Sequence, residues 1–559
     1  MRLIAGLRIL GACVLATLVA DPAFAAKFTD RQRTRIEEPR PASVPSDARL
    51  VASGAVIGKI DIVTHNIFNL SDPRDDVLLF RLANRLHIRT RHSTIRAQLL
   101  FATGQKYRPR LLAETERNLR QLPFIYDAHV VPVGYAHGKV EIAVITRDVW
   151  TLSPGVNFSR TGGANNSSFE LSDSNFLGRG KSIDFQHGHD VDRSSNTLEW
   201  SDPNVLGSRW TDALAYADSS DGRRRAVDVA HPFYSLETHW SVAASAQKYQ
   251  RAVSRYAYGN IGDQFDDSEV SYAMSGGVSA GLVHGWTRRW LAGARYDRND
   301  FLVDPTTSLP ARVLPASQTL AYPFVGFELI QDDYRKTGDL NQIGRTEDLY
   351  FGLRTGVSIG YSTGAFGANR RAFIVSGNAQ KGFQIDPHQQ LFASADFQTR
   401  VERGRARNLI ADASANYYWR WRPEWVLYLG VSGTATDALD PQSQLTIGGD
   451  SGLRGYPLRY EAGSSKALVT IEQRFYTDWY PFRLVRVGGA VLADAGRAWG
   501  PAVIGGNKPG MLEDVGIGLR LGNTRSGLGN VLHVDFAFPL NAPLGVSRFQ
   551  VLVQTLQSF

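Results

Sequence analysis

Cysteine is almost missing from this 559-residue chain; the single thiol is Cys13. A disulfide scaffold is excluded on that ground, as is a site built from several thiolates. Long apolar runs are missing too. Beyond residue 25 no stretch of about 18 consecutive apolar residues occurs, so the sequence offers no membrane-spanning helix. Neither a heptad nor a Gly-X-Y period runs through it, which removes coiled-coil and collagen-like architectures. Wholesale disorder is excluded by 43% hydrophobic against 21% charged residues. His-Glu-x-x-His and Gly-x-x-x-x-Gly-Lys-Ser/Thr motifs are absent, and the chain does not read as an enzyme. What is abundant is glycine, 53 residues, and aromatics: 11 Trp, 21 Tyr and 27 Phe. A soluble globular protein or a β-barrel remains.

Residues 1–25 read as a secretory signal peptide. Arg2 and Arg8 form a basic front, residues 9–20 an apolar stretch, and Ala23-Phe24-Ala25 a small-x-small cleavage site. Leu10-Gly11-Ala12-Cys13 resembles a lipoprotein cleavage box, but the apolar stretch continues past Cys13, where such a box should close it. Cleavage would remove the thiol with Arg2, Arg8 and Asp21, taking 62 basic and 54 acidic residues to 60 and 53. That small, unclustered excess is no nucleic-acid footprint. Residues 26–55, polar and punctuated by proline, read as a flexible leader.

Residues 56–148 mix two periods. Residues 57–68 (IGKIDIVTHNIF) alternate as a strand, with Ile60 and Ile62 on one face. A helix follows with Leu78, Leu79, Leu82, Ala83 and Leu86 on one side. A second is expected from Ser93-Thr94, as candidate N-caps, to Gly104. A third has Pro109 near its start, Leu111, Leu112, Leu119 and Leu122 along one side, and Glu114, Glu116, Arg117 and Arg120 mostly elsewhere. Residues 124–133 and 139–146 close the unit as two strands about a His137-Gly138 turn. This strand–helices–strand–strand order suits a small α+β domain that binds an extended peptide at a sheet edge.

Beyond Trp150 the rhythm is strand and turn. Turn signals recur at 175–180 (NFLGRG), 202–207 (DPNVLG), 286–290 (WTRRW), Arg422-Pro423 and 478–482 (DWYPF). Between them the alternation is clean. Leu532, Val534, Phe536 and Phe538 oppose His533, Asp535 and Ala537, and Val469, Ile471 and Phe475 oppose Thr470, Glu472 and Arg474. Rings crowd the strand ends. One apolar face, one charged face and aromatic rims are what a closed sheet needs in lipid, where every backbone group must be paired. The alternative is an exported sandwich or propeller, for which no blade period is found.

Residues 445–460 (LTIGGDSGLRGYPLRY), 492–499 (LADAGRAW), 514–521 (DVGIGLRL) and 533–540 (HVDFAFPL) occur in that order, and together they resemble the closing third of the BamA-type surface-antigen family of outer-membrane barrels. Residues 56–148 resemble one POTRA domain, the periplasmic module of that family. The resemblance implies an all-β transmembrane barrel of sixteen antiparallel strands over residues 149–559; the turn count reaches about twenty. It also implies a loop at about 436–466 that folds into the lumen. Arg454, Gly455 and Tyr456 match the family's Arg-Gly-aromatic triplet, with Leu453 before it. Asp494 matches the wall acid that Arg454 would reach, and Glu472 is a second candidate. Gly448, Gly449 and Gly455 would supply the loop's turns. The bland reading of the triplet alone is an exposed turn with a solvated Arg.

The expected role is a non-enzymatic factor for inserting or assembling proteins in the bacterial outer membrane, with the POTRA domain in the periplasm. The alternatives are a secretion pore for a partner exoprotein and a passive porin or adhesin. The seam between a first strand at 152–160 and a last at 547–559 would open to clients, with Phe549, Val551, Val553 and Phe559 on one register. Implied partners are outer-membrane lipid, unfolded clients and other components of an assembly machine. No cofactor, metal or nucleic acid is implied. His187-Gly188-His189-Asp190 could place two imidazoles on one strand face, but reads better as polar wall or loop.

Overall fold

The computed structural model describes residues 40–556, except 306, 309, 311–313, 503, 505–509, 527–530 and 543–545. The expected signal peptide and Phe559 lie outside the described residues. A small α+β unit comes first: α1 (Asp47–Ala52), β1 (Val56–His65), α2 (Leu78–Leu86), α3 (His92–Gln98), α4 (Pro109–Arg120), β2 (Ile125–Ala136) and β3 (Lys139–Asp148). Its sheet runs β1-β3-β2, with β1 parallel and β2 antiparallel to β3. Alternate residues of β3, Val140, Ile142 and Val144, face a core that includes Ile57, Ile95, Leu112 and Leu119. Pro109 sits in the first turn of α4, where its missing N–H costs nothing.

Two expectations need correction here. Residues 40–55 are not a loose leader, because Val44 and Leu50 are buried in the core and α1 is held by Arg40 on Asp47. The helix α3 ends at Gln98 rather than Gly104, and Arg91, not Ser93 or Thr94, is its N-cap. The charged side of α4 is buried as well, at Glu114, Glu116 and Arg117.

Twenty antiparallel strands then close into one barrel, from Leu152–Thr161 to Gln550–Leu556. Fifteen precede the candidate inward loop and five follow it, so the sixteen strands implied by resemblance give way to the higher number that the turns suggested. Residues 286–290 are strand rather than turn; the reversal before them is at His284-Gly285. The exterior is apolar. In Leu512–Asn523, Ile517 and Leu519 point out while Asp514 and Arg520 are buried within. In Val531–Pro539, Phe536 and Phe538 point out while His533 and Asp535 point in. No helix of the described residues is long and apolar enough to cross a membrane. The barrel itself has the surface of a membrane span.

Lipid exposure sets a test. Val325, 58% exposed in the middle of Gln318–Gln331, should lose about 2–4 kcal/mol of folding stability in bilayers when changed to Arg. The lumen-facing Ser358→Arg should cost less. Urea titration of refolding into vesicles reads both.

Candidate functional site

The loop of residues 438–464 joins Trp425–Asp437 to Ser465–Tyr476 and folds back into the barrel. Leu453 and Tyr456 are fully buried at its tip. Arg454 enters a set of carboxylates supplied by neighbouring strands. Its Nη2 donates to Glu472 Oε1 at 2.6 Å, its Nε lies 3.2 Å from Asp494 Oδ2, and its Nη1 lies 3.6 Å from Asp535 Oδ2. The Gly455 N–H donates to Asp514 Oδ2 at 3.0 Å. Strand alternation explains the convergence: residues two apart on one strand and in register across the next share the inner face, as Thr470, Asp494 and Asp514 do. Two further cations complete the cluster. Arg474 Nε donates to Glu472 Oε2 at 2.9 Å, and Arg520 pairs with Asp535. Glu472 therefore binds both the loop and the wall.

Both wall acids named from the sequence meet Arg454, and Glu472 is the nearer. Asp514, Asp535, Arg474 and Arg520 were missed. Their signal was present in the polar face of each closing strand, but nothing in one sequence says which polar residues share a level. Gly455 is packed so closely that a Cβ would sit 2.8 Å from Asp514 Cβ and 3.0 Å from the Pro539 nitrogen. Gly448 and Gly449 do not provide left-handed turns. They allow backbone to approach backbone at Pro457 and Tyr456; the left-handed positions of the loop are Gly452, at φ 104°, with Ala438 and Arg459. Above the tip, Arg459 grips Asp192 with two hydrogen bonds of 2.7 and 2.8 Å, and Gly259 N–H donates to Arg459 O at 3.2 Å.

A second element closes the lumen from the side of the α+β unit. Between the tenth and eleventh barrel strands, Tyr334–Gly338 and Thr346–Tyr350 form a hairpin. Its tip residues Leu340 and Ile343 bury themselves among the lumenal Tyr418, Val426, Tyr476 and Val531. Glu347 accepts the N–H groups of Leu340 and Asn341 at 2.8 and 3.0 Å, fixing the tip. The Leu340 carbonyl accepts from Arg474 Nη1 at 3.1 Å and from Tyr476 OH at 2.6 Å. The other end of the hairpin holds α4. Asp348 takes two hydrogen bonds from Arg120, at 2.6 and 2.7 Å, Lys336 pairs with Glu116, and Arg117 stacks 3.6 Å over the Tyr334 ring. A continuous path of polar contacts thus runs from Glu116 through the hairpin to Arg474, Glu472 and Arg454.

The remaining sequence candidates do not converge. His187 Nδ1 lies 2.8 Å from Asn196 Oδ1 and His189 Nδ1 2.8 Å from Ser194 Oγ, both exposed on the outward face; among the described residues no His, Cys, Asp and Glu group gathers around a metal-sized space. Two Gly-x-Ser-x-Gly pentapeptides, at 277–281 and 356–360, lie within barrel strands with no α-helix following, so neither is a nucleophile elbow. Phe549 is exposed just before the last strand, and Val551 and Val553 share its outward register. Leu552, between them, is buried facing inward.

Two tests follow from these contacts. Removing one partner of a buried ion pair strands the other, so Arg454→Ala and Glu472→Ala should each cost about 3–5 kcal/mol, and their double-mutant cycle should show strong coupling. Additive losses in urea unfolding would remove that contact from the account. Burial alone would raise the Glu116 carboxyl, but the hydrogen bond from His129 and the charges of Arg120 and Lys336 outweigh it and hold the group well below the ordinary carboxylate range. A depressed carboxylate stabilises the docked form above its unfolded value of about 4.3, and that contribution is lost as pH falls further. Hydrogen-exchange protection of residues 339–345, corrected for intrinsic rate, should therefore fall on acidification, and Glu116→Gln should flatten the dependence.

No family model and no curated protein matches the chain. Solved structures do. The crystal structure of BamA from Haemophilus ducreyi lacking POTRA domains 1–3 is 12% identical, with a TM-score of 0.36, covering 90% of this chain and 85% of that one. CdiB from Acinetobacter baumannii is 10% identical, TM-score 0.45, covering 91% and 74%. CdiB from Escherichia coli is 14% identical, TM-score 0.44, covering 90% and 77%. Each is a barrel-bearing chain to which this one is similar, at a level that assigns no activity.

Proposed function

We propose that the chain is an outer-membrane barrel that helps insert or assemble other proteins, its α+β unit acting as a periplasmic POTRA domain. One observation carries the reading: the seam. Leu152–Thr161 pairs with its sequence neighbour along its whole length, from Leu152↔Asp173 to Thr161↔Ala164. With the last strand it shares, among the described residues, one register pair, Val553↔Arg160, supported by Gln554 Nε2 on Thr161 Oγ1 at 2.7 Å. Both strands therefore have backbone groups to offer a client hairpin. Burial of the client's apolar face would supply the free energy, with no nucleotide or metal chemistry required.

The sheet edge that receives an extended client is β1 rather than β2. On β2 the edge is occupied: Val130 N–H donates to Glu116 at 3.0 Å, and the Ile125 and Tyr126 carbonyls accept from Arg345 at 3.1 and 3.2 Å. Pro132 also removes a donor. Along 59–64 of β1, no hydrogen bond among the described residues engages the outer edge. The secretion-pore reading would require both lumenal stoppers to leave, against the buried ion cluster and the hairpin's apolar seat.

A disulfide across the seam decides the matter. The only cysteine, Cys13, lies in the segment read as a signal peptide, so Arg160→Cys with Val553→Cys in a Cys13→Ser background gives a unique pair. Oxidation should reduce client-barrel insertion into vesicles to the lipid-only background, and reductant should restore it. Undiminished insertion through the locked seam would end this reading.

A further inference from the structure

The helix α2 carries an apolar face that the protein does not cover. Leu78, Leu79, Leu82 and Leu86 are 81, 65, 49 and 63% exposed, and Val77 and Ile88 at its ends are also exposed. At 100° per residue the four leucines fall within one arc of about 100°. The opposite face is fastened. Phe80 stacks on Phe68 with ring centroids 3.9 Å apart, and Asn84 exchanges hydrogen bonds with the Phe68 backbone at 2.8 and 3.1 Å. The exposed leucines are therefore held in place and are not a frayed end.

Their position is specific. On one side, Asp72 and Asp75 bind Arg483 of the turn after the sixteenth strand, and Arg525 of the turn after the eighteenth donates to the Ile67 carbonyl at 2.8 Å. On the other, Thr90 accepts from Asn175 at 2.8 Å, and Arg91 donates to the Leu177 carbonyl at 3.1 Å, in the turn after the second strand. Between those anchor points lie the last strand and the first. The helix is thus slung across the base of the seam.

We infer that α2 beds its leucine face in the lipid leaflet on the side of the α+β unit, directly at the seam. Three observations select lipid over a protein partner. The face continues an exposed apolar rim: Trp479 and Phe482, 61 and 85% exposed, stand on the turn that holds Asp72, and Leu177 and Leu152 are exposed on the other flank. Residues 77–92 contain four arginines and no acid; Arg81 pairs with Asp76 at 2.8 Å, and Arg85, Arg89 and Arg91 complement anionic headgroups. Finally, a face of this size fixed beside a barrel's lipid-facing band has lipid as its nearest apolar medium. The inference rests on the barrel's spanning a membrane and not on any client.

The test uses the whole protein in phosphatidylglycerol-containing vesicles. Leu82→Cys in a Cys13→Ser background, labelled with an environment-sensitive fluorophore, should emit blue-shifted and be quenched by brominated acyl chains. The same label at Lys139→Cys, on the exposed start of β3, should respond to neither and be quenched by aqueous iodide. Iodide access at position 82 equal to that at 139 would overturn the inference. So would shielding from iodide without quenching by brominated lipid, which would mean that protein, including a second copy, covers the face. Both positions are at the surface, and the readout involves no client, so a barrel that inserts nothing would still report on the helix.

Discussion

A guanidinium cannot sit in the middle of a protein without anions around it, and the closing wall of this barrel is arranged about that requirement. Arg454 arrives on a loop, while Glu472, Asp494 and Asp535 arrive on three strands of the last five. The arrangement is demanding in both directions. Without the loop, Glu472 and Asp535 would keep Arg474 and Arg520, but Asp494 and Asp514 would face each other across adjacent strands without the guanidinium of Arg454, and without the carboxylates that cation would be pushed back toward water. Loop and wall therefore stabilise each other, since the loop's cation is paired only by acids that the barrel's last strands supply.

Against that firmly built wall, the junction where the cylinder closes is sparse. The neighbouring ladders are long and regular; the terminal pair shares little. An asymmetry of this kind localises opening. Thermal motion will part the strands where the fewest backbone hydrogen bonds must break, and here that place lies between the first strand and the last. It is also the place beneath which α2 and its arginines are suspended.

Much of this was legible in the residues, and what was not has a common cause. Period-two alternation in 469–475 and 532–538 sorted lumen from lipid, because each strand of a closed sheet has one wet face and one dry face. Counting turns gave fifteen strands ahead of the loop, and analogy gave eleven; the local pattern was the better guide. Arg454 and its two acids could be found from spacing and resemblance. The hairpin of Tyr334–Gly338 and Thr346–Tyr350 could not. Its short strands look like any other alternating segment, and its role comes from contacts with α4, some 220 positions earlier. Nor could amphipathicity in α2 distinguish a face turned to a core from one turned away, since both have the same period. For α4 the sequence places Glu114, Glu116 and Arg117 mostly off the apolar side but cannot show that they are buried, because their partners Leu236, Lys336 and Tyr334 are remote in sequence.

The hairpin that reaches into the lumen has one further implication. Its tip and the inward loop meet at the same glutamate, the tip through Arg474 and the loop through Arg454, so the two lumenal elements share one carboxylate. Arg474 belongs to the wall itself, two residues from Glu472 on one strand, so it would keep that partner without the hairpin; what the hairpin adds is an acceptor for its other nitrogen, and what the inward loop adds is the second guanidinium on the same carboxylate.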